Sequence, residues 1–74
     1  MKNILIVGAG GQIGSELTRN LRDIYGDDHV VCSDLRPLKG ADYERGPIER
    51  IDSTQIMQIA EAVKKYNIDT IYNL

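Results

Sequence analysis

The residues of this chain with the clearest chemical potential are a run of glycines and one acid. Gly8-Ala9-Gly10-Gly11-Gln12-Ile13-Gly14 fits G-x-x-G-x-x-G, and Gly10 also completes a G-x-G start. Each glycine of such a run has a physical task. Gly8 permits a tight turn, Gly10 and Gly11 remove side chains that would keep a pyrophosphate off the backbone, and Gly14 lets the following helix sit close to the preceding strand. A helix starting here aims free N–H groups and the positive end of its dipole at bound phosphates. The acid is Asp34, 20 residues past Gly14, where a carboxylate accepts hydrogen bonds from the ribose hydroxyls of a dinucleotide. As an anion it repels a 2′-phosphate, which favours NAD over NADP. Arg36 is the complicating residue: its guanidinium either holds such a phosphate, stacks over the adenine or lies in solvent. The bland alternatives are a simple tight turn for the glycines and a helix cap or solvated turn for Asp34. No Gly-Lys-Ser/Thr sequence occurs, so a loop of the G-x-x-x-x-G-K-[ST] type, and triphosphate hydrolysis with it, is not supported.

These groups bind a phosphate only if a strand precedes the glycines and a helix follows them. Lys2 to Val7 is a short, continuously aliphatic run of the kind a strand buried on both faces shows. From Gln12 to Tyr25, the residues Ile13, Leu17, Leu21, Ile24 and Tyr25 fall on one helical stripe, and Gly26 follows as a stop. His29 to Ser33 reads as a second strand that ends at Asp34. Leu35 to Glu49 holds both prolines and no helical period, so it reads as a long connection, with a short third strand at Ile48 to Ile51. Ser53 to Tyr66 places Ile56, Ile59, Ala60 and Val63 on one face, with Lys64 and Lys65 in the last turn where cations offset the dipole. Thr70 to Leu74 reads as a final strand. This order predicts an α/β fold: a Rossmann-like parallel sheet forming the N-terminal half of a doubly wound NAD-binding domain across residues 1–74.

Composition narrows the function further. With 9 Lys and Arg against 11 Asp and Glu, and no basic run beyond Lys64-Lys65, nothing marks a nucleic-acid partner. The longest apolar run, Ile4 to Val7, is too short for a membrane span or a signal peptide, so a soluble, cytoplasmic chain with no membrane partner is expected. One cysteine and one histidine make neither an internal disulfide nor a closed zinc site, and a free thiol suits a reducing compartment. Cys32 reads as core, His29 as a strand-entry residue near solvent and Met57 as helix surface. Tyr43 either covers an adenine or is a loop tyrosine without a task. A chain of 74 residues leaves helix faces and sheet edges uncovered. It also ends on a strand with no loop after it, so we expect a fragment of a longer enzyme whose open edge invites assembly as a homo-oligomer.

Several pieces together resemble a known superfamily: Ile4-Leu5-Ile6-Val7-Gly8-Ala9, Gly11-Gln12-Ile13-Gly14-Ser15-Glu16-Leu17, Tyr25-Gly26, Val30-Val31-Cys32-Ser33-Asp34-Leu35-Arg36, Gly46-Pro47 and the tail from Tyr66 to Leu74. The sequence is similar to the extended short-chain dehydrogenase/reductase superfamily, and within it to the opening part of the short-chain type of L-threonine 3-dehydrogenase. That resemblance implies NAD as cofactor. It implies that Gly8, Gly11, Gln12, Ile13 and Gly14 line the pyrophosphate and that Asp34, Leu35 and Arg36 surround the adenosine. It further implies that Asp52 and Ser53 contact the adenine edge and that Leu74 lies beside the nicotinamide ribose. Asp52 fits equally the N-cap of the second helix, with Gln55 as a capping-box partner, and Leu74 fits equally a core position.

The activity implied is oxidation of the 3-hydroxyl of the small-molecule substrate L-threonine, giving 2-amino-3-oxobutanoate and NADH. The rival within the superfamily is an NAD-dependent nucleotide-sugar epimerase or dehydratase, although those enzymes commonly place an aromatic residue where Gln12 stands. The rival outside enzymology is a standalone dinucleotide-binding module. The superfamily's catalytic tyrosine precedes a lysine by four residues. The residues four on from Tyr25, Tyr43 and Tyr66 are His29, Pro47 and Thr70, and Tyr72 has none. No catalytic residue is therefore assigned, and the 74 residues alone are expected to do no chemistry.

Overall fold

Strand β1 (Ile4–Val7) is buried at every position because it has a neighbour on each edge and a helical layer on each face. The computed structural model describes residues 2–74. Beyond β1 they form α1 (Gln12–Tyr25), a 3-10 turn (Asp27–His29), β2 (Val30–Asp34), α2 (Ala41–Glu44), β3 (Ile48–Arg50), α3 (Ile56–Tyr66) and β4 (Thr70–Asn73). The four strands pair in the order β3-β2-β1-β4, all parallel. This is the Rossmann-like α/β sheet that the sequence predicts, with β1 at its centre and Ile4 opposite Val30 on one side and Thr70 on the other.

Alternation along the strands divides the interior into two cores. Ile4, Ile6, Val30 and Cys32 pack with Ala9, Leu21, Leu38 and Tyr43 on the α1 side. Leu5, Val7 and Val31 pack with Ile51 and Ala62 on the α3 side, flanked by Ile59, Val63, Tyr66 and Ile68. At the outer edge, Glu49 of β3 accepts hydrogen bonds from the Tyr66 hydroxyl and, at 3.0 Å, from Lys65 Nζ, which ties the edge strand to α3.

Several local expectations need correction. Helix α1 has the predicted ends and part of the predicted stripe: Leu17, Leu21 and Tyr25 pack against the core, but Ile13 and Ile24 are exposed, and Gly14, Thr18 and Arg22 are buried in addition. Small residues let the helix approach the sheet, and the Thr18 hydroxyl satisfies itself by donating to Gly14 O at 2.7 Å. Helix α3 starts at Ile56 rather than Ser53, and its N-cap, Gln55, makes no side-chain cap bond. The expected Asp52–Gln55 capping box does not form, because the Asp52 N–H donates to Gln58 Oε1 at 2.8 Å. On the same helix Ile56 and Ala60 face outward along with Met57, and Ala62 is the buried residue. The connection after β2 is not featureless. It contains α2, and it buries Leu38 and Tyr43, so Tyr43 is a core residue rather than an idle loop side chain.

Candidate functional site

The C-terminal ends of β1 and β2 place the glycine run and Asp34 side by side. The chain leaves β1 through Gly8, whose φ of +83° suits glycine. The N–H groups of Gly8 and Ala9 both donate to Ser33 O, at 3.0 and 2.9 Å, which folds the turn over the end of β2. Gly10 N–H then donates to Asp34 Oδ2 at 2.8 Å, and Arg36 N–H donates to Oδ1 at 3.1 Å. A Cβ on Gly10 would lie 2.7 Å from Oδ2. The side chain missing at Gly10 thus leaves room for the Asp34 carboxylate. Gly11 differs, because the space beside its Cα is open. At Gly14 a Cβ would overlap the Ala9 backbone, so the start of α1 sits directly against the turn.

These backbone donors favour the charged form of Asp34. The Arg36 N–H, followed by the Gly10 N–H, holds its carboxyl below the usual carboxylate value and outweighs its partial desolvation. The Arg36 guanidinium adds little, lying 4.0 Å from Oδ1 and 80% exposed. Asp34 is therefore ionised at neutral pH, with lone pairs left for hydroxyl donors.

Two grooves open on either side of this ridge. One, of about 550 Å³, is lined by Gly8, Gly11, Gln12, Ile13, Gly14 and Leu74. It lies where β1 and β4 end side by side, with the Leu74 N–H continuing the ladder to Val7 O at 2.9 Å. That is the crevice at which open parallel sheets bind ligands. The other, of about 310 Å³, is lined by Gly10, Arg36, Pro37, Leu38, Lys39 and Tyr43. The first turn of α1 lines the larger groove and carries N–H groups that have no carbonyl partner inside the helix. The pairing of those donors with an ionised carboxylate suits a molecule that carries phosphate next to a diol.

The remaining predicted positions are less closely joined to this arrangement. Leu35 is exposed beside Asp34, and its carbonyl accepts from Arg50 Nε at 3.1 Å. Asp52 and Ser53 follow β3, and the Ile51 N–H bonds Asp34 O at 3.1 Å, so they share the rim. Neither lines the two grooves. The Asp52 carboxylate accepts from the Thr54 hydroxyl at 2.7 Å and the Thr54 N–H at 2.9 Å, and these bonds hold it below its usual value.

Sequence reasoning missed Lys39, a second cation on the Arg36 groove, and the buried Arg22. Arg22 donates to Val30 O, Asp42 O, Tyr43 O and Pro47 O, all at 3.2 Å or less. The available signal was positional: Arg22 follows Thr18 by four residues on the face that Gly14 begins, and an irregular proline- and glycine-bearing loop needs donors for its carbonyls.

Comparison with known proteins agrees with this geometry. The sequence profile of the NAD dependent epimerase/dehydratase family matches residues 4–74. The chain belongs to that family. An uncharacterized epimerase/dehydratase of Staphylococcus saprophyticus is 40% identical over 75 residues, covering 100% of this chain and 23% of that protein. A counterpart in Staphylococcus aureus is 39% identical, with the same coverage. The chain thus spans less than a quarter of the length of these relatives.

Among solved structures, an L-threonine dehydrogenase from Clostridium difficile superposes with a TM-score of 0.92 at 47% identity, covering 100% of this chain and 24% of that one. A GalE-like L-threonine dehydrogenase from Cupriavidus necator gives 0.88 at 38% identity, over 97% and 23%. The L-threonine 3-dehydrogenase of Trypanosoma brucei gives 0.76 at 32%, over 99% and 23%. The Rossmann-like sheet of this family member therefore matches part of the L-threonine dehydrogenase fold, and the resemblance to extended short-chain dehydrogenases and reductases holds.

Proposed function

We propose that residues 1–74 are the NAD-binding N-terminal part of an L-threonine 3-dehydrogenase. The observation that carries this reading is the Asp34 carboxylate, ionised and fixed by the Gly10 N–H between the two grooves. Asp34 accepts from the adenosine ribose hydroxyls, and a 2′-phosphate at that place meets an anion instead. Gly8, Gly11, Gln12, Ile13 and Gly14 hold the pyrophosphate along the first turn of α1, where Gly11 leaves open space. Leu35 and Arg36 border the adenosine, Asp52 and Ser53 the adenine edge, and Leu74 the nicotinamide ribose. NAD held there would supply the hydride acceptor for the oxidation. This chain's own residues bind and orient that cofactor, and the groups that take the hydroxyl proton and hold L-threonine belong to the part that the longer relatives have beyond this stretch. The 47% identity to an L-threonine dehydrogenase supports the choice of substrate.

A second reading, an epimerase or dehydratase acting on a nucleotide sugar with NAD recycled, is favoured by the names of the staphylococcal relatives. The two readings separate on the intact gene product, assayed with L-threonine and NAD and, in parallel, with UDP-sugars. The dehydrogenase reading expects NADH absorbance to rise with L-threonine and no UDP-sugar to be converted. Conversion of a UDP-sugar without net NADH, and none of L-threonine, overturns it.

A further inference from the structure

Every polar partner of the glycine turn so far described belongs to β2 or to the loop directly after it, with one exception. Tyr43, on the short helix α2, is buried, and its hydroxyl donates to Ala9 O at 2.7 Å. Ala9 is fully buried, so no water replaces that donor. The Ala9 peptide is held from three directions: its N–H donates to Ser33 O, its backbone lies against Gly14, and its carbonyl receives the Tyr43 hydroxyl. That carbonyl shares its planar peptide with the Gly10 N–H that grips Asp34, and beyond it Gly11 faces open space. Tyr43 itself is anchored from α1, because Arg22 Nη1 donates at 2.6 Å to both Asp42 O and Tyr43 O, while Arg22 Nη2 donates to Pro47 O at 2.9 Å. Burial pushes the Tyr43 phenol up from its ordinary value, so the donor proton is retained across the neutral range.

We infer that Tyr43 is a positioning residue for the phosphate half of the site: its hydroxyl fixes the Ala9 peptide, and Arg22 fixes Tyr43. Both act without touching the phosphate. This rests on the dinucleotide reading above. Its consequence is selective, since Tyr43 sets the glycine turn, whereas the Asp34 ribose contact is also set by the Arg36 N–H and the Tyr43 ring still lines the adjoining groove.

The test uses Tyr43→Phe in the intact gene product, which removes only the hydroxyl, with calorimetric titration of ADP-ribose and of adenosine. Removing one buried hydrogen bond predicts an ADP-ribose Kd weakened by about fivefold to tenfold. The adenosine Kd stays within about twofold on the same reasoning, because its contacts remain. Arg22→Lys, which loosens Tyr43 and keeps its hydroxyl, is expected to show the same split at smaller amplitude. A purely structural role lowers Tm and either leaves both affinities of the folded protein unchanged or weakens both equally, and either result overturns the inference. Wild-type protein that binds neither ligand overturns the dinucleotide reading itself, and the inference falls with it.

Discussion

Asp34 and Asp52 are acids of the same type at the ends of neighbouring parallel strands, and they do different things. Both accept hydrogen bonds that hold their carboxyls below the ordinary value. Asp34 draws one of its bonds from Gly10, 24 residues away on the other side of β1's end, and so joins the turn to the strand. The Asp52 carboxylate draws its bonds from Thr54, two residues on, and so shapes a local turn on the approach to α3. The same chemistry thus links distant segments at Asp34 and holds a local turn at Asp52. A lowered carboxyl value alone would not have told the two apart.

The strongest way to break this contrast is to remove the turn that Asp34 grips. Gly14→Val forces a side chain into the Ala9 backbone, with an expected cost of about 3 kcal/mol. We expect a clear drop in Tm by thermal shift and no measurable NAD binding, while an unchanged Tm would show that the close packing there is dispensable.

The pH dependence sharpens the contrast from another side. The folded value of Asp34 lies below its ordinary value of 3.8, so the stabilisation it contributes is fully present above that value and is lost as pH falls through the lowered one. NAD affinity is then flat from about pH 8 down to about pH 5. A fall in affinity already between those limits, followed by calorimetry, would mean that Asp34 is not the titrating acceptor.

The smallest effect belongs to Asp52→Ala. With the carboxylate bonds of Asp52 confined to Thr54, it should shift the NAD Kd by less than about twofold and lower Tm slightly. A loss comparable to that at Asp34 would make Asp52 a principal cofactor contact rather than a border residue and erase the distinction drawn above.

Much of this arrangement is legible in the residues. The aliphatic run before Gly8, the helical period from Gln12 to Tyr25 and the β-favouring segment ending at Asp34 already give the strand, turn, helix and strand that set the acid beside the glycines. What escapes the sequence are positions where tertiary contacts override residue type. Arg22 is buried because its guanidinium meets loop carbonyls from Asp42 to Pro47, a need that no periodicity reports. Tyr43 is hidden for the same reason, lying in a connection whose order comes from Arg22 and Ala9 rather than from local propensity. Ile13 misleads in the opposite direction: its apolar side chain falls on the expected stripe, yet it is 73% exposed at the lip of the groove that ends at Leu74. The start of α3 is misread because the Asp52 carboxylate takes the Thr54 N–H in a local turn that closes before the helix begins at Ile56.

The central claim is that Asp34, held by Gly10, receives the adenosine ribose and selects NAD. Calorimetric titration of the intact wild-type protein and its Asp34→Ala variant with NAD and NADP tests it most directly. The account predicts that the wild type prefers NAD. It predicts that the variant loses about a hundredfold in NAD affinity, as removal of charged hydrogen bonds to two hydroxyls implies, with NADP binding little changed. A variant that keeps both its NAD affinity and its preference over NADP would contradict it.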